Sequence, residues 1–173
     1  NYWRNYWSSI LCGRRLTSMP VYMPPTAASV PGARVYNSAN ISAADAGDTA
    51  LTFDSERYDT DGIHSTSSNT GRLTCQTAGK YMISFTGYFA YAAGGGSRGF
   101  AIRLNGTTGI AIVRNSAVIN VGDVTAFTLS TIYDLAVSDY VEVTAYQISG
   151  AALNVISSGN NTPEFMMQYV GPA

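Results

Sequence analysis

Charged residues are scarce in this sequence, and several residue types that common functions require are scarcer still. Only 12% of the 173 residues are Asp, Glu, Lys or Arg, which is about half of the share in an average globular chain. Ten basic and eleven acidic side chains nearly cancel, so the composition offers no electrostatic footprint for nucleic acid. One His and two Cys are too few for a zinc ribbon or finger. No apolar run reaches the roughly 18 residues of a membrane-spanning helix, and we expect no membrane span.

The sequence contains two regions. The first is an N-terminal arm, residues 1–32, which is rich in Pro and aromatic residues. Pro has no amide donor and favours extended backbone before it. Residues 19–32 of this arm are therefore predicted to be extended and to span roughly 40 Å at about 3.1 Å per residue. Upstream, apolar residues recur at the spacing of one helical face. We predict that the arm docks on a neighbouring copy of the chain through Trp3, Tyr6, Trp7, Ile10, Leu11, Val21, Tyr22 and Met23.

From residue 33 to residue 173 the pattern changes to short strands separated by turn residues, which we interpret as one head domain. In the clearest strand, 79–91, apolar residues such as Tyr81, Ile83 and Phe85 share one face. Asn105-Gly106 predicts a tight hairpin, because both central turn positions need positive φ. No helical pattern separates the strands, so the head is predicted to be all-β: a two-sheet antiparallel jelly-roll sandwich of about ten strands. The other predicted strands are 34–37, 50–53, 72–75, 99–104, 109–114, 124–133, 140–147, 153–156 and 164–170.

Several residues of the head follow a known spacing. Five residues separate Phe53 from Asp59, residues 79–85 read Gly-Lys-Tyr-Met-Ile-Ser-Phe, and residues 135–141 read Leu-Ala-Val-Ser-Asp-Tyr-Val. On these motifs the stretch 33–171 resembles the globular head of complement first-component subunit q, whose jelly roll is shared with tumour necrosis factor. The sequences of these motifs are similar to those of bacterial and bacteriophage members of this family. The resemblance implies a homotrimer that is packed around an axis by apolar and aromatic residues of one sheet. It also implies a non-enzymatic function, namely binding or scaffolding.

Candidate chemistry centres on His64, the single imidazole, which Asp59 and Asp61 precede. A Ser-His-Asp arrangement needs a positioned nucleophile and an oxyanion hole, and the sequence has no Gly-x-Ser-x-Gly elbow. We therefore predict no catalytic residues and no enzymatic activity. Carboxylates at alternate positions are typical ligands of Ca²⁺, so Asp59 and Asp61 have two interpretations, a calcium site or the capping of a turn. We expect no other cofactor.

Two further sets of residues concern covalent modification. Cys75 lies in an apolar strand and is interpreted as a buried thiol, although a disulfide with Cys12 of the arm is an alternative in an oxidising setting. Asn40, Asn105 and Asn160 each begin an Asn-x-Ser/Thr sequon. These three are candidate glycosylation sites if the source glycosylates surface proteins.

Two classes of function are consistent with these features. In the first, the chain is a structural subunit that self-assembles, through a trimeric head and the docked arm, into an extracellular or virion fibre. In the second, the trimeric head at a cell surface recognises a glycan or protein receptor through loops such as 92–98 and 157–162. Trimerisation is expected to bury a weakly polar second face that includes Ala101, Leu104, Ile110 and Ile112.

Overall fold

Twelve strands form the regular structure of residues 29–173, the part of the chain that this computed structural model describes. In chain order they are β1 (Gly32–Tyr36), β2 (Ile41–Ala43), β3 (Gly47–Ala50), β4 (Ser55–Asp59), β5 (Arg72–Thr74), β6 (Gly79–Phe89), β7 (Ser97–Leu104), β8 (Thr108–Ser116), β9 (Thr125–Leu135), β10 (Tyr140–Gln147), β11 (Leu153–Val155) and β12 (Glu164–Gly171). The all-β prediction is confirmed. The predicted arm lies outside the described residues except for 29–32, and Gly32 already belongs to β1. No helix long and apolar enough to cross a membrane occurs among residues 29–173.

The larger sheet has seven strands and is built around β6. β9 pairs with β6 along its full length, and β12 pairs with residues 80–86 of the same strand, so β9 and β12 lie on opposite edges of β6. β1 pairs with both β12 and β4. The order across the sheet is therefore β9-β6-β12-β1-β4, and β11 and β2 extend it beside the end of β6.

The smaller sheet has five strands in the order β8-β7-β10, and β3 and β5 share the far edge of β10. All the strand pairs of both sheets are antiparallel, and the two sheets stack face to face. The core lies between them because alternate residues of each strand point inward. This is the two-sheet jelly-roll sandwich that the sequence predicts.

Aromatic rings form the centre of the core. Phe85 and Phe89 of β6 are fully buried, and Phe100 of β7 reaches them from the smaller sheet. The ring centroid of Phe100 lies 4.8 Å from that of Phe85, 4.7 Å from that of Phe89 and 5.5 Å from that of Phe127. Each such side chain contributes about 2–3 kcal/mol by leaving water. The contact of rings from both sheets fixes how the sheets sit on each other.

Not every strand prediction is correct. The strand predicted over 50–53 is wrong, because β3 ends at Ala50. Leu51 and Phe53 are nevertheless fully buried, and their amides donate to the carbonyls of Val143 at 2.9 Å and Thr70 at 3.0 Å. The sequence prediction also lacks β2 and β4, because these short strands have no clear apolar alternation.

The hairpin prediction is confirmed. Asn105 and Gly106 connect β7 to β8 with φ of 51° and 76°, as a type I′ turn requires. The amide of Thr107 closes the turn on the carbonyl of Leu104 at 3.2 Å.

Candidate functional site

The outward surface of β6 and β9 is uncharged along most of its length. Three pairs of facing residues form it, and we call them the neutral face: Met82 with Ile132, Ser84 with Ser130, and Thr86 with Thr128. Met82 is 39% exposed and Ile132 is 63% exposed, and a shallow hollow of about 190 Å³ lies beside them. Charged side chains appear only at one end, where Lys80 faces Asp134. No other strand covers this surface among the described residues.

The other half of the same sheet surface carries three charged residues, Arg34, Arg57 and Glu164, which we call the arginine clamp. Glu164 is only 6% exposed, and its Oε2 accepts a hydrogen bond from Nε of Arg34 at 2.7 Å. Its Oε1 accepts from Nε of Arg57 at 3.1 Å and from Nη2 at 2.8 Å. The same two guanidinium groups donate to the carbonyls of Asn160 at 3.3 Å and Gly159 at 3.2 Å. Two cations around one carboxylate leave the clamp with one net positive charge.

The outward surface of the smaller sheet carries charged side chains at several points along its length. Arg72 lies 3.8 Å from the carboxylate of Glu142. Arg103 donates to the carboxylate of Asp48, and Arg114 lies 3.8 Å from that carboxylate. The neutral face, which is one half of the outer surface of the larger sheet, therefore differs in character from the outer surface of the smaller sheet. The neutral face is apolar and hydroxylic, whereas the smaller sheet presents paired charges.

The four residues predicted for the trimer contact lie on β7 and β8 of the smaller sheet, and they do not form one exposed face. Ala101 is only 8% exposed, so a single head already buries it. Leu104 and Ile110 are partly buried against the core. Ile112 alone is open, with 64% of its surface exposed.

The calcium candidates form part of a closed turn. The carboxylate of Asp59 accepts hydrogen bonds from the backbone amides of Asp61 at 3.1 Å, Ile63 at 3.0 Å and His64 at 2.8 Å. The carboxylate of Asp61 accepts from the hydroxyl of Thr77 at 3.0 Å. These bonds favour the turn-capping interpretation. Among residues 29–173 no group of three or more His, Cys, Asp or Glu side chains could hold a metal ion, and calcium binding remains a prediction.

His64 holds the loop that precedes β5. Its side chain is fully buried, with Nδ1 2.9 Å from Oε1 of Glu56 and Nε2 3.1 Å from the carbonyl oxygen of Thr70. Both ring nitrogens are therefore occupied by the protein itself. This position favours a structural role over a catalytic one.

Cys75 is buried and forms no disulfide within residues 29–173. Burial raises its pKa, and its Sγ donates to the carbonyl of Thr77 at 3.2 Å, which also accepts from the hydroxyl of Tyr81 at 2.6 Å. Burial likewise raises the pKa of Tyr81. The position fits the interpretation of Cys75 as a buried thiol. Cys12 lies outside the described residues, so the disulfide alternative remains untested.

The three sequon asparagines are all exposed. Two of their side chains hold loops: Oδ1 of Asn40 accepts from the amide of Ser157 at 2.8 Å, and Nδ2 of Asn105 donates to Asp139 at 2.9 Å. Glycosylation of Asn40, Asn105 and Asn160 remains a prediction.

The loop between β8 and β9, which we call the apolar loop (residues 117–124), was not singled out by sequence reasoning. Its aliphatic side chains are open to solvent: Val118 is 38% exposed, Ile119 59%, Val121 86% and Val124 42%. Asp123 is its one charged residue. The available signal was an aliphatic run around Asn-Val-Gly-Asp, where a connecting loop would normally be polar.

The two antiparallel sheets, with the first and last strands side by side in the larger one, define the class of protein. It has the jelly-roll fold of the complement first-component subunit q head and of tumour necrosis factor, as the sequence motifs predict. No sequence-family model matches the chain, and no curated protein sequence matches it.

Three solved structures illustrate the likeness. The globular domain of zebrafish complement 1qA protein has a TM-score of 0.52 and 16% identity, over 83% of this chain and 99% of that one. Murine APRIL has a TM-score of 0.57 and 9% identity, over 81% and 99%. Eiger TNF from S. frugiperda has a TM-score of 0.60 and 10% identity, over 83% and 94%. At these identities the likeness concerns the fold, and the bacterial or bacteriophage origin remains a prediction.

Proposed function

We propose that this chain is a non-catalytic structural subunit whose head forms a homotrimer through the neutral face and whose arm links heads into an extracellular or virion fibre. The observation that supports this best is the contrast between the uncharged neutral face and the charged outer surface of the smaller sheet. Monomeric proteins rarely leave a broad apolar surface open, and the neutral face presents Met82 and Ile132 with no charged residue between them.

The neutral face suits self-association better than ligand binding. Its hydroxyl groups on Ser84, Thr86, Thr128 and Ser130 can exchange hydrogen bonds across an interface without an unpaired charge being buried. The resemblance to trimeric heads implies packing by one sheet, and the neutral face offers such a sheet surface without charge. The trimer contact thus moves from the smaller sheet, where the sequence had suggested it, to the larger one.

The arm is the segment that we propose links the heads into a fibre. The described chain begins at Ser29 and enters β1 at Gly32, beside the last residues of β12. The arm therefore leaves from an end of the larger sheet. A Pro-rich arm of roughly 40 Å exceeds the ~13–16 Å radius of gyration expected of such a head. It can reach a neighbouring subunit, and a contact between unlike surfaces can repeat without closing into a ring.

Two isoleucines provide a matched test of the trimer surface, because Ile132 is 63% exposed on the larger sheet and Ile112 is 64% exposed on the smaller one. We expect the full chain to sediment as a trimer or a multiple of one, the Ile132→Asp variant to dissociate to monomers, and the Ile112→Asp variant to behave as wild type. A monomeric wild type, or equal behaviour of both variants, would reject the neutral face as the interface.

Electron microscopy tests the fibre. The full chain is expected to form filaments, and a chain that lacks residues 1–28, which leaves β1 intact, is expected to form only discrete trimers. Filaments of unchanged appearance without the arm, or no filaments with it, would remove the fibre from the proposal and leave a trimeric head.

A trimeric binding head is the second candidate, and the preformed loop 157–162 favours it. Ser158 and Thr162 form an isolated bridge within this loop, and the hydroxyl of Ser157 donates to the carbonyl of Asn37 at 2.7 Å. A loop held in this way loses little entropy on binding. A glycan array and a pull-down with the trimer distinguish the candidates, because a scaffold should retain nothing specific.

A further inference from the structure

The apolar loop and the arginine clamp are complementary in charge. Asp123 contributes one negative charge to an otherwise uncharged loop, and the clamp has one net positive charge from Arg34, Arg57 and Glu164. Among the described residues, Asp123 takes part in no salt bridge. Within the described part of one head, the negative charge of Asp123 therefore has no cationic partner, and the net positive charge of the clamp has no carboxylate to balance it.

The two features lie at the same end of the sandwich. β9 and β12 both run antiparallel to β6, so the loops that precede them emerge at one end. The apolar loop precedes β9, and the loop 157–162 precedes β12. The clamp arginines donate to carbonyls of Gly159 and Asn160 in that second loop, which directs them toward this end.

The two features also lie at opposite edges of the larger sheet. The strand order β9-β6-β12-β1-β4 puts four strand spacings between the edge that carries Asp123 and the edge that carries Arg57. At about 4.8 Å per spacing, the separation is roughly 19 Å. Because an ion pair requires contact at a few Å, the loop and the clamp of one head are too far apart to pair with each other.

We propose that the apolar loop of one head docks against the arginine clamp and the loop 157–162 of the neighbouring head, where Asp123 pairs with Arg34 and Arg57. Complementary surfaces on opposite edges of one subunit are what a heterologous contact requires, and such contacts close into a ring when the rotation permits. The occupant of the clamp is therefore a second copy of this chain. This inference rests on the proposed self-association of the head and adds the contact that sets its orientation.

The clamp is well prepared for a carboxylate. Arg34 and Arg57 are already held in place by buried Glu164, so little side-chain entropy is lost when a partner arrives. Both guanidinium groups keep an Nη1 that donates to no protein group among the described residues. Burial of Val121 and Ile119 in the same contact removes apolar surface from water. The charged pair selects the orientation, and the aliphatic side chains contribute affinity.

Disulfide trapping tests the contact directly. In a Cys12→Ser background, chains with Val121→Cys, which keep Asp123, and chains with Asn160→Cys are co-expressed under different tags and oxidised. We expect a disulfide-linked dimer that contains one of each, and no dimer from either variant alone. The matched control replaces Asn160→Cys by Ile112→Cys on the opposite face, which should give no cross-link with Val121→Cys.

The outcomes separate the two proposals. A chain that is trimeric by light scattering but gives no mixed dimer, or that cross-links equally through Ile112→Cys, overturns this contact and leaves the trimer standing. A chain that is monomeric by light scattering overturns both.

Association strength gives a second measurement. Asp123→Asn removes the charge without changing the shape of the loop, and we expect it to weaken association at least about tenfold. Asp134→Asn, at the other end of β9, should leave association unchanged. Equal effects of the two variants would overturn the pairing. A lipid surface is the alternative occupant of the apolar loop, although the loop has no Lys or Arg to favour an anionic membrane. If the chain co-sediments with phosphatidylcholine vesicles and Val121→Asp abolishes this binding, the loop binds lipid and the proposed contact is overturned.

Discussion

The ring cluster at the centre of the core predicts an unequal cost for two similar substitutions. Phe100 and Phe53 are both buried, with 1% and 0% of their surface exposed. Phe100 contacts three rings, with centroids at 4.8, 4.7 and 5.5 Å, whereas Phe53 contacts one, Phe165, at 5.6 Å. Replacement by Leu keeps most of the buried apolar surface and removes the ring contacts.

The difference between the two variants can be worked from these contacts. An aromatic pair contributes about 0.5–1.5 kcal/mol beyond its buried area. Phe100→Leu loses two more pairs than Phe53→Leu, so its free energy of unfolding should fall by about 1–3 kcal/mol more. For a domain of this size the melting temperature should then be lower by roughly 2–12 °C.

The assay is urea unfolding of both variants, followed by circular dichroism at one protomer concentration, because self-association makes stability depend on concentration. An unchanged slope with urea shows that the unfolded states are comparable. Equal losses for the two variants, or a larger loss for Phe53→Leu, would refute the view that the ring cluster holds the two sheets together.

Two further predictions concern titratable groups. Burial raises the pKa of Cys75, so in a Cys12→Ser variant iodoacetamide should label the native chain far more slowly than the chain in urea; rapid native labelling would contradict this. For Asp54, burial raises the pKa but hydrogen bonds from Ser38 and Ser55 outweigh it, and the pKa falls below its ordinary 3.8. A carboxylate with a lowered pKa stabilises the fold above its ordinary pKa and loses this contribution as the pH falls through the folded value. Ser38→Ala should therefore lower the urea midpoint at about pH 6 more than at about pH 2, and an equal loss at both would exclude the charge as the cause.

Local patterns in the sequence were enough to predict most strands of this fold. The alternation in β6 is visible because one face of the strand is fully buried and the other is open. The turn at Asn105 and Gly106 is visible because few residues tolerate its backbone angles. Both signals depend on neighbours in sequence, and both predictions are confirmed.

The proposed functional surfaces could not be found in this way, because they depend on pairings between distant strands. Arg34, Arg57 and Glu164 come together only through the registers of β1 with β12 and with β4. Hydrophobic alternation identifies a strand but not its partner. The same limit explains why Ile112 and Ala101 were grouped with Leu104 and Ile110 as one contact face, since burial by the opposite sheet is a property of the whole sandwich.

The pairing of β1 with β12 has a consequence for how the chain is made. Residues 32–36 lie against residues 164–168, so the first strand of the head must wait for the last before this edge of it is filled. Non-local pairing of this kind slows folding, and an unpaired strand edge invites contact with other chains. During synthesis β1 is such an edge for almost the whole length of the head. The interval between translation of the first strand of the head and the last is therefore the period in which the edge of β1 is most exposed to pairing with other chains.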